Sequence, residues 1–397
     1  MSRPRRSARG GWEATVELGT GRAGNRLRRH VRGPTKAVVA AKVADLQARR
    51  RIGADTARQP TLDEWMTTWI AGRSLEVRPW TMAGYRSDLR HISAAIGHVR
   101  IDRLVAEDIE QLWCSMRDSG LSGGTVAHVR RTLSAALNAA VKRGRIARNP
   151  VLAASTPRHS PPEVVPFTAV EVQAILAAAA EDRHPARWTL ALAYGLRQGE
   201  ALGLQWQDID FDSGTVAIRR SLGVRTWHHG CGGTCGRKRG ADCFRRHSGG
   251  LGAAELKTPS AVRTLFLPVP LIGQLRAARV AQVAERLAAG ELWQLGPGGG
   301  WVFASPIGRP VHPSADWAAW KELLATAGVR DARLHDARHS AATTMLVLGL
   351  DARTVMGLLG WSQLSLTARY QHVVPELREE AARRIGEHLW GTGTTVV

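Results

Sequence analysis

No uninterrupted apolar run in these 397 residues reaches the roughly 18 that would span a bilayer. The opening stretch, MSRPRRSARGGWE, is basic but lacks the apolar segment and small-residue cleavage site of a secretory signal, so a cytoplasmic protein with no membrane partner is expected. Cysteine is scarce and unevenly spread. Cys114 stands alone, and Cys231, Cys235 and Cys243 share one short stretch, a clustering that favours a metal over a disulfide framework. Tyrosine is scarcer still, with only Tyr85, Tyr194 and Tyr370. Acids are under-represented, 34 Asp and Glu against 55 Lys and Arg. A formal charge of +21 implies a polyanionic partner, with nucleic acid the leading class. There is no internal repeat and no long low-complexity tract.

The length exceeds what one hydrophobic core serves, so two or three domains are expected. Residues 1–60 hold 15 Lys or Arg and only Glu13, Glu17, Asp45 and Asp55 as acids. Within them, Trp12 to Leu18 alternate as a strand does, Gly19 to Gly24 supply a turn, and a basic run from Asn25 to Val31 completes a hairpin. Thr35 then caps a helix with the stripe Val39, Val43 and Leu46. A ββα or βββα module over residues 1–58 follows, with a linker over Arg51 to Pro60. Thr61-Leu-Asp-Glu64 has capping-box spacing and opens a helix carrying Trp65 and Trp69. Helical patterns at Pro79–Ala95, Val105–Gly120 and Ser122–Arg143 make residues 59–152 an all-helical domain. Prolines from Pro150 to Pro162 place a second linker near 152–165. Beyond it, Thr168 with Glu171 and then Pro185–Tyr194 read as helices, and Gly214–Arg219 and Arg263–Pro268 as strands, so residues 165–397 form a mixed domain. The fold class is therefore multidomain α+β, with a mostly helical third domain carrying a small antiparallel sheet.

Four pieces of that third domain stand in a telling order. They are Tyr194-Gly-Leu-Arg-Gln-Gly-Glu-Ala-Leu-Gly-Leu-Gln-Trp206, Glu255-Leu-Lys-Thr-Pro-Ser-Ala-Val-Arg-Thr264, Leu334-His-Asp-Ala-Arg-His-Ser-Ala-Ala-Thr343, and Leu359 to His372 with Trp361 nine residues before Tyr370. Each alone is a weak signal in an arginine-rich chain. Together they resemble the tyrosine recombinase family of phage-type integrases. The resemblance implies a catalytic set of Arg197, Lys257, His335, Arg338, Trp361 and Tyr370. The family more often has histidine where Trp361 stands. The resemblance also implies that the first module binds arm-type DNA sites, that the helical domain clamps the core site, and that four protomers act on two duplexes bearing attachment sites, with an accessory directionality factor.

The chemistry accounts for the residue types. A phosphodiester repels nucleophiles, and its pentavalent transition state spreads further negative charge over the nonbridging oxygens. Arg197 and Arg338 suit that charge because a guanidinium stays protonated and forks onto two oxygens. His335 adds a donor or proton acceptor, and Trp361 an N–H and packing. Tyr370 would attack phosphorus to give a covalent 3′-phosphotyrosine, which conserves the bond energy for rejoining without ATP. Lys257 takes the general-acid role that the family gives its hairpin lysine. Glu200 is expected to orient its neighbours or cap a turn; His339 and His372 read as ordinary helix or loop histidines. No catalytic cofactor is implied. Two rival readings share parts of this evidence: a type IB topoisomerase-like enzyme with the same chemistry, and a noncatalytic zinc-containing DNA-binding regulator.

A cysteine-rich insertion at about 227–250 separates the first strand from the lysine segment. Cys231, Cys235, Cys243 and His247, spaced C-x3-C, seven residues, then C-x3-H, are expected to close a tetrahedral structural Zn2+ site, with His228 or His229 as alternatives for the fourth ligand.

Overall fold

The computed structural model describes residues 4–8, 10–20, 26–51, 59–77, 79–157, 165–256, 258–362, 382–383 and 385–389. Lys257, Tyr370 and His372 lie outside these residues, as do residues 52–58 and 158–164 of the expected linkers. The chain divides into two units, Met1–Pro162 and Glu163–Val397.

In the first unit, β1 (Arg5–Arg6), β2 (Trp12–Thr20) and β3 (Arg26–Gly33) form an antiparallel sheet in that order. Alternation turns Ala14 and Val16 of β2 to one face. There they meet Val39, Val43 and Leu46 of α1 (Lys36–Arg51), the stripe read from the sequence, in a small core. Thr35 accepts the Val38 N–H at 3.3 Å at the start of that helix. The strand β1 makes the module βββα.

The same unit carries a separate core on α2 (Leu62–Arg73), α3 (Pro79–Ile96), α4 (Ala106–Asp118) and α5 (Gly123–Lys142). The capping box forms as spaced. The Thr61 N–H donates to the Glu64 carboxylate at 2.8 Å, and the Glu64 N–H to the Thr61 hydroxyl at 3.3 Å. Trp65, Ile92, Trp113 and Leu133 are buried there, each large apolar side chain contributing about 1.5–3 kcal/mol. The Trp65 indole N–H satisfies itself on the Ala136 carbonyl at 2.9 Å.

The second unit opens with α6 (Ala169–Ala179), capped by Thr168 and Glu171, and α7 (Pro185–Tyr194). After the short α8 (Gln198–Leu202), strands β4 (Ile209–Asp210) and β5 (Thr215–Ile218) pair. An extended ribbon follows, made by β6 (Arg220–Arg225) and β9 (Gly250–Glu255), with a second small hairpin, β7 (His228–His229) and β8 (Arg246–His247), between them. Then β10 (Arg263–Phe266) returns to the far side of β5, giving the sheet order β10-β5-β4. Helices α9 (Val269–Ala289), α10 (Pro313–Thr326), α11 (Leu334–Val347) and α12 (Ala352–Leu359) follow. No helix among the described residues is long and apolar enough to cross a membrane.

Candidate active site

Helix α7 ends at Gly195, whose φ of +58° is left-handed and turns the chain sharply toward α8. A Cβ there would lie 2.7 Å from Leu359 Cδ2 and 3.0 Å from Arg338 Cγ, so only glycine allows this close approach. Two residues on, Arg197 stands at the N-cap of α8. Its backbone N–H donates to Glu200 Oε2 at 3.2 Å and its Nη1 to Glu200 Oε1 at 2.5 Å. Glu200 is 1% exposed and also accepts from Arg263 Nη2 at 2.9 Å. Burial alone would raise the Glu200 carboxyl, but Arg263 and Arg197 outweigh it and hold the group below the usual carboxylate range.

A second buried pair fixes α8 from below. Arg187 donates through Nε and Nη2 to the two Asp316 oxygens, both at 2.9 Å, and Gln198 Nε2 reaches Asp316 Oδ2 at 2.9 Å. Such a pair adds little net stability because both charges are desolvated. Its effect is on position, since Gln198 is the residue next to Arg197.

Helix α11 contributes His335 and Arg338, three residues apart and so on neighbouring positions of one face. Arg338 is 3% exposed. Its Nη1 donates to the Gly195 carbonyl at 2.6 Å and its Nη2 to the Leu359 carbonyl at 2.5 Å. The guanidinium also lies 5.4 Å from the centroid of the buried Trp361 ring. His335, exposed at the rim, meets His339 edge to face at 4.9 Å. The protein packed round its ring, and then the cations Arg338 and Arg197, lower the His335 pKa, so the imidazole is neutral at pH 7. Partial burial and the neighbouring His335 push His339 down to about 4. Arg197, Gln198, Trp317, Arg333, His335 and Arg338 line one depression of about 380 Å³.

Three groups that shape this site carry no role in the sequence reading: Gly195, the Arg187–Asp316 pair and Arg263. The Arg263 side chain is 7% exposed and donates to three acceptors, the Leu358 carbonyl at 2.7 Å, the Ala261 carbonyl at 2.9 Å and Glu200. It thus ties the strand after Lys257 to α8 and to the end of α12. A signal for it exists, since it stands six residues after Lys257 in the same segment, but a lone arginine in a basic chain does not announce three partners. The two tyrosines within the described residues have packing roles. The Tyr85 ring packs tilted against Trp69 with centroids 5.0 Å apart, and the Tyr194 hydroxyl donates to the Phe266 carbonyl at 2.6 Å.

The insertion brings together His229, Cys231, Cys235 and Cys243, whose ligand atoms all lie within 4.8 Å of one another. Cys235 Sγ is 3.3 Å from His229 Nδ1. His229, the alternative to His247 for the fourth ligand, is the histidine placed with the thiols. His247 pairs with His228 across β7 and β8, so those two rings share a face, 5.8 Å apart. His229, one residue on, turns to the opposite face with the thiols, and His247 Nδ1 meets the Ser248 hydroxyl instead, at 2.9 Å. Tetrahedral ligands about 2.0–2.3 Å from Zn2+ stand roughly 3.3–3.8 Å from one another, so three thiols and an imidazole already within 4.8 Å fit that ion after a small contraction.

Residues 269–376, a span that includes His335, Arg338, Trp361 and Tyr370, match the model of the phage integrase family. An integrase of Saccharopolyspora erythraea is 37% identical over 419 residues, covering 96% of this chain and 95% of its own length. A tyrosine recombinase XerC-like protein of Caldanaerobacter subterraneus is 28% identical over 387 residues, covering 95% and 96%. Among solved structures, the Tn1549 transposon integrase in complex with transposon right end DNA has the same fold, with a TM-score of 0.64 at 20% identity over 83% of this chain and 99% of that one. With a relative this similar along nearly its whole length, and with two arginines and a histidine converging on one depression, the chain belongs to the phage integrase family of tyrosine recombinases, enzymes of site-specific DNA breaking and rejoining.

Proposed function

We propose that this enzyme integrates or excises a mobile element by cutting DNA through a covalent 3′-phosphotyrosine at Tyr370. The observation that carries the reading is the shared depression lined by Arg197, His335 and Arg338. The scissile phosphate sits there with its nonbridging oxygens toward the two guanidiniums, where preorganised donors stabilise the charge that develops in the transition state. The bonds from Arg338 to two carbonyls fix the plane of its guanidinium before substrate arrives. Neutral His335 takes the proton of the attacking Tyr370 hydroxyl. The Tyr370 oxygen–phosphorus bond forms as the bond to the 5′-oxygen breaks, and Lys257 gives that oxygen its proton. Rejoining reverses these steps with a 5′-hydroxyl from the partner duplex. Trp361 supports Arg338 from beneath.

The residue set extends to the rest of the chain. Residues 1–58 read as an arm-site module, 59–152 as the core-site clamp and 165–397 as the catalytic domain, four protomers joining two attachment sites in the cytoplasm with a directionality factor. His229, Cys231, Cys235 and Cys243 hold one Zn2+, a closed four-ligand site that orders the insertion and takes no part in catalysis.

A suicide duplex carrying the element's own junction, nicked so that the released 5′-hydroxyl fragment diffuses away, tests the chemistry. The expected product is the chain covalently held on a 3′-phosphate. Freely migrating cleaved DNA with no adduct would contradict it.

A further inference from the structure

The reaction leaves the outer face of the cysteine insertion unused, and that face is built. The β6–β9 ribbon runs through six residue pairs, from Arg220↔Glu255 at its base to Arg225↔Gly250 at its tip, a span of roughly 17 Å. The tip is packed around Trp227. A Cβ on Gly240 or Gly249 would collide with the Trp227 backbone, and the Gly230 N–H donates to the Arg245 carbonyl at 2.9 Å. Arg246 lies 4.7 Å from the Trp227 ring and donates to the Ala241 carbonyl at 2.7 Å. With the four metal-ligand side chains converging beneath, this is a small fixed knuckle, unlike a solvated loop.

Its charge is one-sided. Arg237, Lys238, Arg239, Arg245 and Arg246 stand in residues 227–250 against the single acid Asp242. Arg237, Lys238, Arg239 and Arg245 are exposed and have no acidic partner among the described residues. Phe244 is 75% exposed, with the Arg245 guanidinium 5.6 Å from its ring. A ring held open to water beside unpaired cations suits a surface that offers both phosphate oxygens and the apolar faces of sugars or bases.

We propose that the knuckle is a further DNA grip of the catalytic unit, touching the duplex backbone beside the cleavage point. The inference rests on the metal reading above for the fixity of the knuckle, and on the assignment of Lys257 to the scissile phosphate. Lys257 follows the ribbon's base in sequence, one residue past Leu256, so on that assignment the tip stands about one ribbon length from the cleavage point. At about 3.4 Å per base pair, that reach is up to roughly five base pairs. The grip is on phosphates and reads no base sequence.

The test uses the full chain and the combined substitution Arg237→Gln, Lys238→Gln, Arg239→Gln, at exposed positions outside the ligand set and the catalytic set. Binding is titrated with salt on a duplex carrying the element's attachment site and on a scrambled duplex of equal length. The slope of log affinity against log salt should shrink by about 0.9 for each phosphate that the variant no longer neutralises, equally on both duplexes. Backbone protection should retreat over up to about five base pairs beside the cleavage point, with zinc still at one per chain. An unchanged slope and footprint with zinc retained would overturn the grip. The metal reading fails separately, if the wild-type chain purified without chelator contains no zinc, and the slope of the triple variant then still decides the grip. Cys235→Ser should release zinc and show the same decrease in slope; zinc released with the slope intact would refute presentation by a metal-held knuckle.

Discussion

Arg338 Nη1 donates to the carbonyl of Gly195 at 2.6 Å, and Gly195 holds that carbonyl in place by adopting a left-handed φ of +58° where no Cβ fits. The end of α7 and the face of α11 that carries His335 and Arg338 are thereby one arrangement. Replacing Gly195 with Ala adds left-handed strain of about 1–2 kcal/mol and crowding of about 1–3 kcal/mol against Leu359 and Arg338. Urea unfolding of Gly195→Ala should show a loss of about 2–5 kcal/mol, with strand cleavage reduced alongside. A variant within about 0.5 kcal/mol of wild type would mean that the close approach is absent in solution.

Lysine in place of Arg338 keeps the charge but has no planar fork to span the Gly195 and Leu359 carbonyls while facing a phosphate. Cleavage by Arg338→Lys should fall on the order of 100-fold or more, the worth of a preorganised oxyanion donor. Single-turnover cleavage at near wild-type rate would remove Arg338 from the phosphate clamp.

Arg263 should matter through Glu200. Arg263→Met leaves a buried carboxylate with Arg197 as its remaining cation, and a stability loss on the order of 3 kcal/mol at pH 7 is expected. Glu200 titrates below its ordinary value in the fold, so its stabilisation is present above about pH 4.3 and is lost as the pH falls through the lower folded value. In Arg263→Met that depression is smaller, and the acid-side slope of stability against pH should flatten. An unchanged slope would show that Arg263 does not hold the Glu200 charge.

Some features are legible in the sequence because their causes are local. The Thr61–Glu64 and Thr168–Glu171 caps, the Val39, Val43 and Leu46 stripe and the span of α7 follow from spacing alone, and all are present in the fold. The strand at Arg5–Arg6 escapes sequence reading because two residues carry no alternation. The fourth member of the metal cluster is illegible for a related reason. Linear spacing favours His247, but the face on which a histidine lies is set by the β7–β8 register, which only pairing reveals. The Arg263–Glu200 and Arg187–Asp316 pairs join side chains 63 or more residues apart, and no periodicity encodes them.

Tyr370 as the nucleophile is tested most directly by comparing wild type with Tyr370→Phe on the same suicide duplex. The substitution removes one oxygen and no charge. Electrophoretic mobility shifts should show DNA affinity within about twofold of wild type, a difference of about 0.4 kcal/mol, while the covalent adduct and the cleaved strand both vanish. An adduct formed by Tyr370→Phe at a rate comparable to wild type would contradict the assignment outright.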